Sequence, residues 1–180
     1  ATGRNGNLSF DDADGVRAAL ASASHVLSSV PPDRERGLDP VLSTYGRDFG
    51  RAWYGYLSST GVYGDASGAW VDEHSPTVAD GGTGRRTARA EAIYGPGRSI
   101  FDRIEEGKAK RIDLPGQVFS RAHVDDIASG VVAALTSDAP SGAYNLGDDL
   151  PASQNAVVEE ACTLLGVEPP PLVSLEEADL

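Results

Sequence analysis

Apolar positions along the chain switch between helical spacing and short runs of strand length. Over residues 11–23, Val16, Ala19, Leu20 and Ala23 recur at helical intervals behind a group of aspartates, which the positive end of a helix dipole favours. Residues 25–30 follow as a compact apolar run stopped by Pro31 and Pro32. Proline cannot donate to a ladder, so this reads as a buried strand with a defined end. Residues 38–45 predict a helix leading to a second strand that starts at Trp53. The aromatic-rich run Trp-Tyr-Gly-Tyr-Leu then breaks into Ser58, Ser59, Thr60 and Gly61, as a buried central strand does when it delivers polar groups to a site. In open α/β sheets ligands sit beyond the carboxyl ends of the strands, where these hydroxyls would stand.

Residues 65–82, rich in Gly, Ser, Asp and Pro, predict a surface loop. Residues 93–98 predict a turn, with Gly95 and Gly97 relieving tight backbone angles and Pro96 fixing one. Residues 99–108 read as a short amphipathic helix, and residues 110–113 and 117–122 as β-like stretches separated by Leu-Pro-Gly. The clearest helix covers 124–137, where Val124, Ile127, Ala128, Val131 and Leu135 form one stripe and Asp125 and Asp126 occupy the dipole-favoured end. These two aspartates read as structural and not as metal ligands. A strand at 142–146 and a helix capped by Ser153 and closed after Leu165 by Gly166 complete the pattern. Residues 169–171 and the acidic 175–180 are expected to leave the core.

Composition narrows the function. With 180 residues, 40% of them hydrophobic, and no long apolar run, the chain predicts one soluble globular domain with neither membrane span nor signal peptide. A net charge of −12 with no basic stripe argues against a nucleic-acid partner. Cys162 is the single cysteine, so no internal disulfide can form, and a reducing cytoplasm fits. Its position within a helical pattern reads as a small buried residue.

Four segments then fall in a recognisable order: Tyr-Leu-Ser-Ser-Thr-Gly-Val-Tyr-Gly-Asp at 56–65, Ile-Tyr-Gly-Pro-Gly-Arg at 93–98, Phe-Ser-Arg-Ala-His-Val-Asp-Asp-Ile-Ala at 119–128, and Ala-Tyr-Asn-Leu-Gly at 143–147. Together they resemble the extended short-chain dehydrogenase/reductase superfamily, the NAD(P)-dependent sugar epimerases and dehydratases. The resemblance covers about residues 52–165 and implies a doubly wound, mostly parallel Rossmann-like sheet. It implies a dinucleotide-binding part over 1–92, continuous with a part over 93–180 that holds the substrate-side hairpin of 110–122, the remaining Rossmann elements and a small C-terminal subregion. It also implies NADP or NAD as cofactor and a small anionic or sugar-derived substrate, and leaves the oligomeric state, a homodimer included, open. Arg4 stands where the family usually places the acidic residue that binds ribose hydroxyls, which favours NADP. Val30 and Pro31 correspond to backbone contacts beside the cofactor, and Ser58 to the neighbour facing it. Ser59, three residues before Val62, matches the substrate-orienting serine. Thr60, Arg98 and Arg121 are the implied substrate contacts, and Trp70 to Glu73 the lip of the cleft.

The chain departs from the family at its chemistry. The helix expected over 84–92 should carry a Tyr-x-x-x-Lys pair, but Thr83 and Thr87 occupy those positions. A threonine hydroxyl has no anionic form near neutrality and cannot replace the tyrosine. Arg85, Arg86 and Arg89 make the helix cationic, as a solvated face or toward an anionic ligand. The pattern resembles an atypical branch in which the pair is not retained, leaving Tyr63 and His123 as candidates for proton transfer. His123 equally reads as a structural residue at a strand–helix junction. No Gly-x-Gly-x-x-Gly turn occurs and the sequence has no methionine, so a first strand and helix are expected upstream of residue 1. A further strand is expected between residues 92 and 93, where the family has one, and more chain beyond residue 180. The expected function is an NAD(P)-dependent epimerase/dehydratase-like oxidoreductase; the alternatives are a catalytically silent NADP-binding sensor of the same fold and a plain interaction domain.

Overall fold

Helix α1, Ala13–Leu20, starts where the Asp12 carboxylate accepts the Gly15 N–H at 3.1 Å, satisfying a donor that the first helical turn leaves unpaired. It belongs to the first of two compact units, Ala1–Ser58 and Ser59–Leu180, in a computed structural model that describes residues 1–2, 6–33, 36–78 and 93–178. Within the first unit, strand β1, His25–Ser28, runs parallel to β2, Trp53–Tyr56, with His25 opposite Trp53 and Ser28 opposite Tyr56. Helix α2, Pro40–Tyr45, lies between them in sequence; proline at its start loses only an N–H that would have no partner there. A 3-10 turn, Gly46–Asp48, follows.

Side chains alternate along a strand, so Val26 and Tyr54 share one face of this ladder and Leu27, Trp53 and Gly55 the other. The first face is covered. Val16, Tyr45 and Phe49 are buried there and pack with Phe10, Ala13, Leu20, Val26, Val41 and Tyr54. The Tyr45 ring meets Phe10 edge-on at 5.3 Å while Phe49 stacks on Tyr54 at 5.2 Å. The other face is open, with Leu27 45% and Trp53 36% exposed. Trp53 itself lies across Gly55, where any Cβ would fall 2.2 Å from the indole. Both strands form where expected, but the second is not the buried centre of a wide sheet: among the described residues it has one neighbour and one covered face.

In the second unit, Ser59 caps a 3-10 turn, Thr60–Tyr63. Strand β3, Ile93–Tyr94, precedes helix α3, Ile100–Glu105, which opens on a capping box between Ser99 and Asp102. Strand β4, Arg111–Ile112, and strand β5, Ala122–His123, follow, then helix α4, Val124–Thr136. Helix α5, Gln154–Leu165, starts at Ser153, whose hydroxyl accepts the Ala156 N–H at 3.1 Å, and ends at Gly166 in the left-handed region at φ +69°. Val158, Ala161 and Cys162, spaced three and four apart, form its buried edge. Strand β6, Leu172–Val173, comes last. Parallel pairs β3–β5 and β4–β6 join β1–β2 to give three two-stranded sheets among the described residues. The chain is thus a mixed helix–strand protein with parallel pairing.

Several expectations change. The stretches around 110–113 and 117–122 do not pair with each other as a hairpin: Arg111 and Ile112 pair with Leu172 and Val173, and Phe119 bridges Ala152. Among the described residues the 142–146 segment pairs with no strand, and the Asn145 N–H, which a ladder would have used, donates to a Glu73 carboxylate oxygen at 2.6 Å. Toward the C-terminus, residue 171 and residues 175–177 are exposed as expected, whereas Ala178 turns back into the core at 1% exposure. Along α4 the stripe is only partly covered, with Val124 and Ala128 exposed. The expected 84–92 helix with Thr83, Thr87 and its arginines, the 92–93 junction and Arg4 lie outside the described residues.

Two contacts hold these small sheets to their helices. In the second unit, the Asn155 carboxamide accepts the Ile112 N–H at 2.9 Å and donates to the Ile112 carbonyl at 2.8 Å, doing for that edge of β4 what a neighbouring strand would do. Replacing Asn155 with Ala should cost about 1–3 kcal/mol, because both backbone groups lose their partner, and urea unfolding would read the loss. In the first unit, Asp39 accepts the Val41 and Leu42 N–H groups at 2.7 and 3.0 Å and the Tyr54 hydroxyl at 2.7 Å. Burial and then the bond to Asp39 push the Tyr54 phenol from 10.0 up to about 12. An unfolded chain ionises this tyrosine near its ordinary value, so stability present below pH 10 should fall as pH rises toward about 12. Tyr54→Phe should remove that alkaline slope in denaturation series run across this range.

Candidate functional site

Because β1 and β2 are parallel, the residues that leave them emerge at the same edge. Val30, half-buried, and Pro31, exposed, follow β1, while exposed Ser58 follows β2. The edge is braced by buried Ser28, whose carbonyl accepts the Leu57 N–H at 2.8 Å and whose hydroxyl accepts the Val30 N–H at 3.3 Å. Three of the expected cofactor contacts therefore share the carboxyl edge of one ladder. An open pocket of about 440 Å³ in this unit lies at the opposite end, lined by Ser24 and Ala52 just before the two strands and by Asp48, Phe49 and Arg51.

The second unit gathers the other candidates into three groups. Ser59 is half-buried and its oxygen accepts the Gly61 N–H at 3.3 Å, which fixes the start of the turn bearing exposed Thr60. At the end of that turn the Tyr63 hydroxyl donates to Asn145 Oδ1 at 3.0 Å. Asn145 is held in turn by the bond from its N–H to Glu73, and that bond is the main reason the Glu73 carboxyl sits below the usual glutamate range. The loop that presents Glu73 is shaped by Asp72, which accepts the His74 N–H at 2.9 Å and the Ser75 hydroxyl at 3.0 Å; these bonds hold its own carboxyl low as well.

Arg121 forms the second group. It exchanges bonds with Asp148, its N–H donating to Oδ1 at 2.9 Å and its carbonyl accepting the Asp148 N–H at 2.7 Å. Its guanidinium donates to the carbonyls of Phe119 and Ala152 at 3.1 and 3.0 Å and to Gln154 Oε1 at 3.2 Å, and lies 5.8 Å from the centre of the Phe119 ring. This arginine staples the bridge between Phe119 and Ala152. The third group centres on His123, which caps α4: Nδ1 accepts the Asp125 N–H at 3.2 Å, with the Asp125 carboxylate 3.6 Å away. Accepting that bond requires an unprotonated Nδ1, so the neutral ring carries its proton on Nε2, close to Gly95. The Tyr94 ring meets His123 edge-on at 5.1 Å. Exposed Arg98 closes the adjacent turn, its N–H donating to the Gly95 carbonyl at 2.9 Å.

The sequence reading selected Tyr63, Arg121 and His123 but not the residues that hold them. Glu73 and Asn145 sit inside segments singled out by the resemblance, yet nothing in their spacing marks them as partners of Tyr63. Among the described residues, no cluster of three His, Cys, Asp or Glu side chains could hold a metal ion, and no helix is long and apolar enough to cross a membrane.

These parallel ladders and their helices define an α/β protein. The same fold is seen in a "putative NAD-dependent epimerase/dehydratase" from Methylobacillus flagellatus, with a TM-score of 0.54 and 22% identity over 76% of this chain and 61% of that one. The similarity is greater to a functionally unknown conserved protein from Silicibacter pomeroyi DSS: TM-score 0.78 and 36% identity over 99% of this chain and 74% of that one. The chain belongs to that protein's family. It matches no protein-family model and no curated protein.

The capping geometry separates two roles for His123. His123→Ala should cost about 1 kcal/mol through loss of the cap, whereas His123→Asn, which supplies another good capping acceptor, should hold stability within about 0.5 kcal/mol. Thermal and urea unfolding of the two variants checks this.

Proposed function

We propose that this chain is an NAD(P)-dependent, epimerase/dehydratase-like oxidoreductase acting on a small anionic or sugar-derived substrate. The observation that carries the reading is the parallel β1–β2 ladder, which ends at Tyr56 and is followed in sequence by Ser58, Ser59 and Thr60, the position from which α/β sheets present polar groups to a ligand. The fold shared with the Methylobacillus flagellatus protein supports the same direction.

In this reading Val30, Pro31 and Ser58 hold the cofactor, with Arg4 selecting NADP. In this reading a nucleotide lies at the carboxyl edge that Val30, Pro31 and Ser58 share, and the dinucleotide, when bound, would supply hydride transfer. The remaining roles fall to the chain. Ser59 keeps its O–H donor for a substrate oxygen after its lone pair has taken the Gly61 N–H. Tyr63 contacts the substrate oxygen through its phenol. His123 offers its Nε2–H as a hydrogen-bond donor to the substrate while Nδ1 caps the helix. Arg98 and Thr60 contact an anionic group. Arg121 acts mainly by fixing the 119–121 segment, since its guanidinium bonds the chain itself. The same engagement of Arg121 and of His123 Nδ1 favours the second reading, a catalytically silent NADP-binding sensor.

Calorimetry with NADPH and NADH on the full chain, followed by absorbance assays against sugar nucleotides and small carbonyl compounds, separates the two. The enzyme reading expects cofactor binding with turnover, and a Tyr63→Phe loss of roughly 100-fold in turnover with unchanged NADPH affinity, the scale of a lost substrate-positioning contact. Binding with no turnover on any compound supports the sensor, and no dinucleotide binding overturns both.

A further inference from the structure

The bonding around Tyr63 bears on the kind of substrate it can meet. A phenol has one proton to donate and oxygen lone pairs to accept with. Here the proton is committed to Asn145 Oδ1 at 3.0 Å. A carboxamide oxygen accepts a hydrogen bond but does not take up a proton in this range, so Asn145 ends the chain of bonds and passes nothing on. Asn145 is not left to find this geometry by chance. Its own N–H is fixed at 2.6 Å to Glu73, on a loop that the Asp72 bonds to His74 and Ser75 hold in shape. The next polar contact along the same segment, Asp148 with Arg121, fixes it a second time three residues on.

We propose that Glu73 and Asn145 are positioning residues that hold the Tyr63 hydroxyl proton toward Asn145, so that the phenol oxygen faces a ligand as an acceptor and selects substrates that bring a hydroxyl group of their own. The inference rests on the reading of Tyr63 as a substrate contact. It extends that reading from a sugar-derived or anionic compound to one with a free alcohol, whose O–H donates to Tyr63 while the Tyr63 O–H donates to Asn145. The orientation depends on an acceptor for the Asn145 N–H and not on the charge of Glu73. A glutamine, which keeps a side-chain oxygen, should therefore preserve it.

NMR measurement of Tyr63 hydroxyl-proton exchange with water, on the full chain at low temperature, tests the clamp without any substrate. Exchange should be roughly fivefold or more faster in Glu73→Ala and in Asn145→Ala than in the wild type, the scale of one hydrogen bond, and near the wild-type rate in Glu73→Gln. Unchanged exchange in Glu73→Ala, or a Glu73→Gln variant that behaves like Glu73→Ala, overturns the clamp. Selection is read separately with the NADP⁺-loaded protein and a pair of probes, a sugar nucleotide and its deoxy analogue lacking one hydroxyl. The wild type should prefer the hydroxylated probe in KM and lose that preference in Asn145→Ala while NADPH affinity stays constant; equal preference in both proteins overturns the selection. Failure of the wild type to bind NADPH would instead sink the oxidoreductase reading, leaving the exchange result intact.

Discussion

Parallel strands cannot be joined by a tight turn, and every ladder between strands of the described residues is parallel. The chain must therefore travel a long way between partners, through residues 29–52 for the first ladder, 95–121 for the second and 113–171 for the third. Each excursion here carries at least one helix, and in the first and third a residue of that helix packs on or bonds to the strands it joins. α2 lies in the first crossover and supplies Tyr45 to the core over Val26 and Tyr54; α5 lies in the third and supplies Asn155 to the edge of β4. The parallel requirement thus fixes both the order of elements and the location of the polar edge that follows β2.

A second theme follows from how short the ladders are. Two-residue strands leave most of their backbone groups without a ladder partner, and side chains fill the gap. Asn155 does so for Ile112, Arg121 for the carbonyls of Phe119 and Ala152, Glu73 for the N–H of Asn145, and Asp39 for the first turn of α2. Groups that in a wide sheet would be free for a ligand are here partly occupied in holding the chain. That bears on the proposed chemistry: the guanidinium of Arg121 and Nδ1 of His123 have structural duties, while the hydroxyls of Ser58 and Thr60 stand exposed.

What could be read from the sequence was what local pattern encodes. The helix at Val124–Thr136, the Ser153 and Gly166 ends of α5, and the strands at His25–Ser28 and Trp53–Tyr56 all carry periodicity or a cap in their own residues. Pairing was another matter. A stretch such as Arg111–Ile112 is too short to show alternation, and its partner at Leu172–Val173 lies far along the chain, so the nearer Leu-Pro-Gly turn suggested a hairpin that does not form. The 142–146 stretch has the composition of a strand, but its Asn145 N–H is taken by the carboxylate of Glu73, an interaction with no period. The candidate site follows the same rule: Ser59, Tyr63 and His123 stand out by residue type and motif, whereas the groups that orient them do not.

The solitary thiol of Cys162 is wholly enclosed on the inner edge of α5, beside Val158 and Ala161. No reagent can reach it unless that helix lifts away from its bed, so the rate at which a thiol-directed label attaches is a clock for the opening of this one element. The native sequence, without any engineered probe, therefore carries a reporter of how often the floor beneath the second unit comes apart.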